Sequence, residues 1–202
     1  VKAPKWRWYV PAYLYVGGLA GGSAVLAGVA RLSPALAPLS ERSRRLTALA
    51  IPLGTALLVA DMGRPSRFLN VLRVFRPTSV VNVGSWLLTT CGASSVAAVL
   101  LPKPYADAAL AVSATSGAWV ATYSGALLSN TAIPLWSGGR RTLPYLFGAS
   151  AAASTGWILL PWSADPAQTR ALVRLAVAGQ VAELALGQAL EREVGERSAA
   201  PL

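Results

Sequence analysis

Residues that could do chemistry are concentrated in two short segments of this chain. Residues 61–68 read Asp-Met-Gly-Arg-Pro-Ser-Arg-Phe and residues 75–79 read Phe-Arg-Pro-Thr-Ser, with apolar runs of membrane-span length on either side. A charge at the edge of the bilayer core is unfavourable unless it has a partner. The charged cluster therefore favours a functional site.

Two carboxylates are candidates for proton transfer. Asp61 ends an apolar run and precedes Arg64 and Arg67, so it either closes a helix end by an ion pair or handles protons. Glu183 lies seven residues before Leu190, which places it about 10 Å inside the membrane boundary at 1.5 Å per residue. It is either a buried glutamate bonded to an arginine or tyrosine, or part of a proton relay, and we expect it to approach Asp61.

Two tyrosines suit a flat, weakly polar ligand. Tyr13 and Tyr123 lie within apolar runs, near the ends that should share one membrane face. A phenol in an apolar wall can donate to a carbonyl while its ring packs against the ligand. A quinone head group needs one or two such donors in an apolar cleft. The alternative is that both tyrosines anchor the protein at the membrane interface.

The elements that position these residues are transmembrane helices. The chain has 202 residues, of which 54% are hydrophobic and 13% charged, against about 25% charged in ordinary soluble domains. Its apolar runs are continuous, unlike the short alternating strands of a β-barrel. We therefore predict an all-α polytopic membrane bundle that forms a single domain over residues 1–202. The six predicted spans cover about residues 10–30, 46–62, 80–101, 108–128, 143–160 and 171–190.

The alternating direction of these spans predicts where the unusual residues meet. Residues 6–15, 61–76, 130–136 and 143–147 should share one membrane face, hereafter the motif face. Residues 31–45, 103–107 and 165–170 should form ordinary loops on the opposite face. Within the spans, small residues recur every four positions and predict close helix contacts. These stripes comprise Gly17, Gly18, Gly21 and Gly22, then Ser113, Gly117, Ala121, Gly125 and Ser129, then Gly148, Ala152 and Gly156.

Missing residue types restrict the redox chemistry of this chain. It contains no histidine, which excludes bis-His haem ligation. Its single cysteine, Cys91, cannot form an intrachain disulfide or hold an iron–sulfur cluster, so we predict no metal site and expect any redox centre to come from a partner. The net charge of +10 is explained by loop arginines facing anionic lipid, without a nucleic acid partner.

Four motifs occur in order over about residues 6–147. They are Trp6-x-Trp8 with Gly17-Gly18-Leu19-Ala20-Gly21-Gly22; Asp61-x-Gly63-Arg64-Pro65-x-Arg67-Phe68-Leu69; Phe75-Arg76-Pro77-Thr78-Ser79 with Gly84-Ser85-Trp86; and Tyr123-Ser124-Gly125 leading to Leu127-Leu128-Ser129-Asn130. In these motifs the chain resembles the membrane subunit of polysulfide reductase and its relatives, the NrfD family.

The resemblance implies a haem-free subunit of eight or more helices in a prokaryotic plasma membrane. Such subunits bind a quinone, here expected to be menaquinone, and dock on an iron–sulfur subunit with four ferredoxin-like clusters, which usually connects to a molybdopterin oxidoreductase. The family's larger helix count leads us to expect further spans after Leu202. A four-helix bundle over about residues 6–130 would contain the pocket, with the last two spans at about 143–192.

The resemblance and the residues together assign candidate roles. Two other functions stay open, a passive membrane anchor for the partner subunits and a proton-translocating subunit. The quinone-binding candidates are Tyr13, Tyr123, Gly17 and Arg76, the proton-path candidates are Asp61, Glu183 and Arg64, and the partner-docking candidates are Arg67, Arg73 and Asn130. In the family, Tyr13 and Tyr123 match pocket positions, whereas Val10 stands where the family has another polar residue.

Overall fold

The structure is a computed structural model that describes residues 7–61, 66–131 and 133–199. The side chains of residues 66–69, 135 and 196–199 lie outside this description. The described residues form an all-α structure without strands, as the sequence predicted. Its helices are α1 (Tyr9–Ala30), α2 (Ala37–Asp61), α3 (Ser66–Arg73), α4 (Val80–Leu100), α5 (Tyr105–Ser129), α6 (Pro134–Gly138), α7 (Leu143–Leu159) and α8 (Pro166–Ala199).

Six long helices occupy the positions of the six predicted spans. Four segments are both long and apolar enough to cross a membrane: Tyr9–Ala30, Pro34–Asp61, Val80–Leu100 and Leu143–Trp162. Helices α5 and α8 have 25 and 34 residues but do not reach the same apolarity. In α5 the reason is its content of serine, threonine and glycine, and in α8 it is the charged residues. The predicted count of six therefore holds for long helices, and four of them qualify as spans by composition.

Helix α2 begins nine residues before the predicted span, at Ala37. Residues 31–45 were predicted to be a loop, and that prediction is wrong for most of the segment. Glu41 pairs with Arg44 and with Arg45, at 2.8 Å for the latter, and such pairs three and four residues apart stabilise a helix surface. The Arg44 guanidinium also donates to the Ala98 carbonyl at the end of α4. These contacts extend α2 beyond its apolar part.

Four of the long helices close into a ring. Helix α1 packs against α2 and α5, and α4 completes the ring by packing against the other sides of α2 and α5. Helix α7 lies outside the ring against α5 and α1, and α8 packs mainly against α7. The centre of the ring is a cluster of small and medium apolar side chains that includes Ala20, Ile51, Leu88, Cys91 and Val120.

The predicted stripes of small residues lie at the close helix contacts. A Cβ at Gly21 of α1 would come within 2.5 Å of the Ala121 nitrogen on α5. A Cβ at Gly156 of α7 would come within 2.7 Å of the Ala176 nitrogen on α8. Only glycine permits such approaches, since helices in lipid associate by close packing. Gly17 and Gly18 differ, because a Cβ at Gly17 would meet nothing within 4 Å and a Cβ at Gly18 would meet only the Ala151 methyl group, at 3.7 Å.

Candidate functional site

A cavity of about 320 Å³ lies where the start of α1 meets the ends of α2 and α5. Its walls come from residues 9–14, 57–61 and 127–131. Tyr13 and Asp61, two predicted site residues from different helices, both line it. Because α1 and α2 run in opposite directions, the beginning of one adjoins the end of the other. The structure thus brings Tyr13 and Asp61 together at the motif face.

Tyr13 has a buried ring and an unused hydroxyl. The side chain is only 8% exposed, and among the described residues its hydroxyl has no hydrogen-bond partner. Its neighbours in the cavity wall, Val10, Leu14 and Leu58, are apolar. A largely desolvated hydroxyl without a partner is unfavourable, so a ligand that presents a carbonyl would be stabilised here.

Tyr123 already uses its hydroxyl proton within the protein. It donates to the Val80 carbonyl at the start of α4, at 2.8 Å. Its ring lies against Gly84, where any Cβ would overlap the phenol. Tyr123 does not line the cavity of Tyr13. The phenol therefore ties α5 to α4, and a direct contact with quinone stays a prediction.

Arg76 lies in a different cavity from Tyr13. This second cavity, of about 340 Å³, is formed by the end of α3 and the start of α4. The Arg76 side chain is exposed, and its backbone N–H donates to the Asn82 side-chain oxygen at 2.7 Å. The structure therefore does not join Arg76 to the Tyr13 cavity, because the turn before α4 holds Arg76 beside α3 and the start of α4.

Asn82 is a structural residue that the sequence reasoning missed. Its amide donates to the Val74 carbonyl at 2.9 Å and also to the Val71 carbonyl. With the bond from Arg76, the buried side chain satisfies three backbone groups in the turn between α3 and α4. The sequence feature that could have identified Asn82 is its position three residues after Ser79. The Ser79 hydroxyl caps α4 by accepting from the Asn82 N–H at 3.3 Å.

Two docking candidates are visible on the surface of the motif face. Arg73, the last residue of α3, is exposed. Asn130 is exposed and donates its amide to the Ala126 carbonyl at 2.8 Å, which satisfies the end of α5. Arg64 lies outside the described residues, and so does the side chain of Arg67. The predicted ion pairs of Asp61 with Arg64 and Arg67 therefore also lie outside the described residues.

Glu183 does not reach the cavity. It is half-buried on α8 and does not line the Tyr13 cavity. The start of α8 does contact α2, where Arg42 donates to the Gln168 side-chain oxygen at 3.1 Å, but Arg42 lies near the end of α2 opposite to Asp61. The expectation that Glu183 approaches Asp61 is therefore wrong, since α8 packs mainly on α7. Among the described residues Glu183 has neither the arginine nor the tyrosine partner that its buried interpretation required. The carboxylate that makes contacts on α8 is Glu193, which accepts from the Thr142 hydroxyl at 2.8 Å.

Contacts at both ends confirm the alternating topology. On the opposite face, Arg31 at the end of α1 pairs with Asp107 at the start of α5, at 3.0 Å. The described part of the chain has no group of three or more carboxylate or thiol side chains placed to bind a metal ion.

Comparison with known proteins agrees with the motifs and with the fold. A comparison with curated proteins found none that matches this chain significantly. A family model described as polysulfide reductase, of the NrfD type, matches residues 2–191. The match covers nearly the whole chain, including every helix of the ring. The chain therefore belongs to the NrfD polysulfide reductase family, as a multi-pass membrane subunit of a respiratory oxidoreductase.

Proposed function

We propose that this chain binds a quinone, of the menaquinone class, in the Tyr13 cavity. The observation that carries the proposal is the buried Tyr13 hydroxyl, which has no hydrogen-bond partner among the described residues and lies in a leucine-rich wall with Asp61 at its edge. The cavity volume of about 320 Å³ lies at the small end of the range of ligand sites, about 300–1,000 Å³. A phenol donor beside several leucine side chains suits a ring with carbonyl groups.

The residues of the cavity have different proposed roles in binding. The Tyr13 hydroxyl donates to a carbonyl of the ligand and so sets its orientation. Leu14, Leu57 and Leu58 cover the ring faces and keep water out. Gly17 lies one turn deeper, with open space beside it for the ligand or its tail. A bound quinone supplies two-electron, two-proton redox chemistry at this place.

We propose that Asp61 handles protons for the bound ligand. It is an exposed carboxylate that lines the same cavity as Tyr13. A carboxylate at the mouth of a cavity can take a proton from solvent and transfer it to a ligand inside the cavity. The proton then does not have to cross the bilayer. We assign Asp61 as the proton-exchange residue. The Tyr13 hydroxyl keeps its own proton and donates only a hydrogen bond.

We propose that electrons pass between the bound quinone and a docked partner on the motif face. Family membership supports other respiratory subunits as partners, and exposed Arg73 and Arg76 present positive charge there. We propose that an iron–sulfur subunit with four ferredoxin-like clusters docks on this surface and connects to a molybdopterin oxidoreductase. Arg67 and Asn130 extend the same predicted docking area.

A Tyr13→Phe variant of the purified complex tests the quinone site. The ring stays and the donor is lost, so we expect about tenfold weaker binding of a quinone analogue and lower quinol-linked activity. Tyr15→Phe is the matched control, because Tyr15 lies on the same helix but faces a different groove. Unchanged quinone content and activity in Tyr13→Phe would show that the Tyr13 cavity is not the quinone site.

The same preparation separates the two alternatives. A passive anchor would retain its partner subunits and contain no quinone that an analogue displaces. A proton-translocating subunit would show proton flux coupled to electron transfer, and a Glu183→Gln variant tests the residue that the sequence suggested. Unchanged flux in that variant, with intact electron transfer, would exclude Glu183 from the path.

A further inference from the structure

A groove of about 600 Å³ opens on the outer surface of the bundle, between α5 and the start of α7. Its rim carries Arg140 and Arg141, and its walls carry the aromatic rings of Trp119 and Tyr145. Trp119 is 66% exposed and Tyr145 is 67% exposed. This combination of paired arginines above exposed aromatic rings lies away from the Tyr13 cavity.

The two arginines present free positive charge. Both side chains are exposed, and within the described part of the chain neither guanidinium forms an ion pair. The segment that carries them is nevertheless held in place. The Glu193 carboxylate accepts from the Arg141 backbone N–H at 3.4 Å and from the Thr142 hydroxyl at 2.8 Å. The guanidinium groups therefore extend from an anchored turn at the membrane edge.

The wall below the arginines is suited to hydrocarbon. On the outer side of α5, the Thr122 hydroxyl donates to the carbonyls of Ala118 and Trp119, at 3.2 Å and 3.1 Å. The Thr115 hydroxyl, two turns earlier, is satisfied by its own helix in the same way. Because lipid offers no hydrogen bonds, a face that satisfies its polar groups internally can lie against acyl chains.

A second groove continues from the first toward the middle of the bundle. It has a volume of about 280 Å³ and shares Ala118 and Thr122 with the arginine-rimmed groove. It runs past Gly148 and Ala152 of α7 to Leu175 of α8. At Gly148 a Cβ would lie 3.1 Å from the Thr122 methyl group, so the small residue keeps this passage open.

We infer that this surface binds one anionic phospholipid. The lipid phosphate lies between Arg140 and Arg141, where guanidinium groups provide paired donors for its oxygens. The glycerol region packs beside Tyr145 and Trp119, and one acyl chain follows the apolar groove between α5 and α7. Charge complementarity selects an anionic lipid over a zwitterionic one. A quinone carries no such charge, so the site is independent of the proposed Tyr13 pocket.

Native mass spectrometry of the full chain in detergent tests the inference. Phosphatidylglycerol and phosphatidylcholine with the same acyl chains are the two probes. Each arginine near a membrane surface contributes about fivefold in affinity for anionic lipid. We expect Arg140→Gln with Arg141→Gln to weaken phosphatidylglycerol binding about 25-fold and to leave phosphatidylcholine binding unchanged. Arg170→Gln with Arg174→Gln is the matched control, because both of its arginines are exposed on α8.

A measurement on the unmodified chain guards against a variant that does not fold. Phosphatidylglycerol with brominated acyl chains should quench tryptophan fluorescence more than brominated phosphatidylcholine, and Trp119→Phe should remove the difference. Equal quenching by the two lipids, or equal losses in the two double variants, would overturn the inference. Displacement of the lipid by inorganic phosphate alone would show that the arginines bind a free anion instead.

Discussion

The Tyr123 hydroxyl on α5 donates to the Val80 carbonyl on α4 at 2.8 Å, and the ring lies directly against Gly84. The phenol crosses the interface between two helices of the ring and satisfies a carbonyl in the first turn of α4. This bond distinguishes Tyr123 from Tyr13, whose hydroxyl has no partner among the described residues. The two tyrosines therefore have different expected roles, one structural and one in binding.

The Tyr123→Phe variant should lose stability and not quinone affinity. Removal of one hydrogen bond at a half-buried site costs about 1 kcal/mol. Tyr13→Phe removes no hydrogen bond to any described residue and should leave the melting temperature nearly unchanged. Thermal unfolding in detergent and binding of a quinone analogue, measured on both variants, check this division. A larger loss of quinone affinity in Tyr123→Phe than in Tyr13→Phe would instead favour a direct Tyr123 contact.

A methyl group at Gly84 should disturb the same interface. The added Cβ would overlap the Tyr123 ring, and overpacking of this kind typically costs about 1–3 kcal/mol. Gly187→Ala is the control, because a Cβ at that helical position meets nothing within 4 Å. We expect Gly84→Ala to melt at a lower temperature than Gly187→Ala. Equal melting temperatures would show that Tyr123 moves aside freely.

Arg44 should contribute more to stability than Arg45, although both pair with Glu41. The Arg44 side chain is 20% exposed and also donates to the Ala98 carbonyl of α4, while Arg45 is 68% exposed. Losing a partly buried charged hydrogen bond costs about 1.5–3 kcal/mol, against less than about 1 kcal/mol for an exposed pair. Thermal unfolding of Arg44→Gln and Arg45→Gln measures the difference. Similar melting temperatures would show that the Arg44 bond to the Ala98 carbonyl does not stabilise the contact between α2 and α4.

The start of α8 should make a pH-dependent contribution to stability. The backbone N–H groups of Gln168 and Ala167 donate to Asp165 and hold the pKa of its carboxyl below the ordinary value. A depressed folded pKa stabilises the protein above the unfolded pKa of about 3.9, and this stabilisation is lost as the pH falls through the folded pKa.

Asp165→Asn isolates the stabilisation that comes from the charge of Asp165, because asparagine can still cap the helix but does not titrate. We expect the difference in melting temperature between the wild type and Asp165→Asn to shrink as the pH is lowered from about 6 to about 3. A difference that stays constant over this interval would mean that the charge of Asp165 does not contribute.

Local pattern determined most of the helices. Continuous apolar runs must satisfy their backbone groups internally, so the positions of α1, α4 and α7 could be read from the sequence to within a few residues. The ends were less predictable where charge overrides hydropathy. Helix α2 begins at Ala37 because Glu41 and its arginines support a helical turn that the apolar run does not include.

Alternation along the chain was also sufficient to predict that Tyr13 and Asp61 lie on the same membrane face, since the start of one helix adjoins the end of its antiparallel neighbour. It could not determine the partners of side chains on helices that are distant in sequence. Tyr123 meets Val80 across 43 positions. Glu183 is kept from Asp61 because α8 packs mainly on α7 and contacts α2 near Arg42, at the end opposite to Asp61. Which face of a helix meets which neighbour depends on close glycine contacts such as Gly21 with Ala121. Those contacts exist only once all the helices are packed. Only the tertiary structure therefore decided that the Tyr123 hydroxyl bonds within the protein, while the Tyr13 hydroxyl has no partner among the described residues.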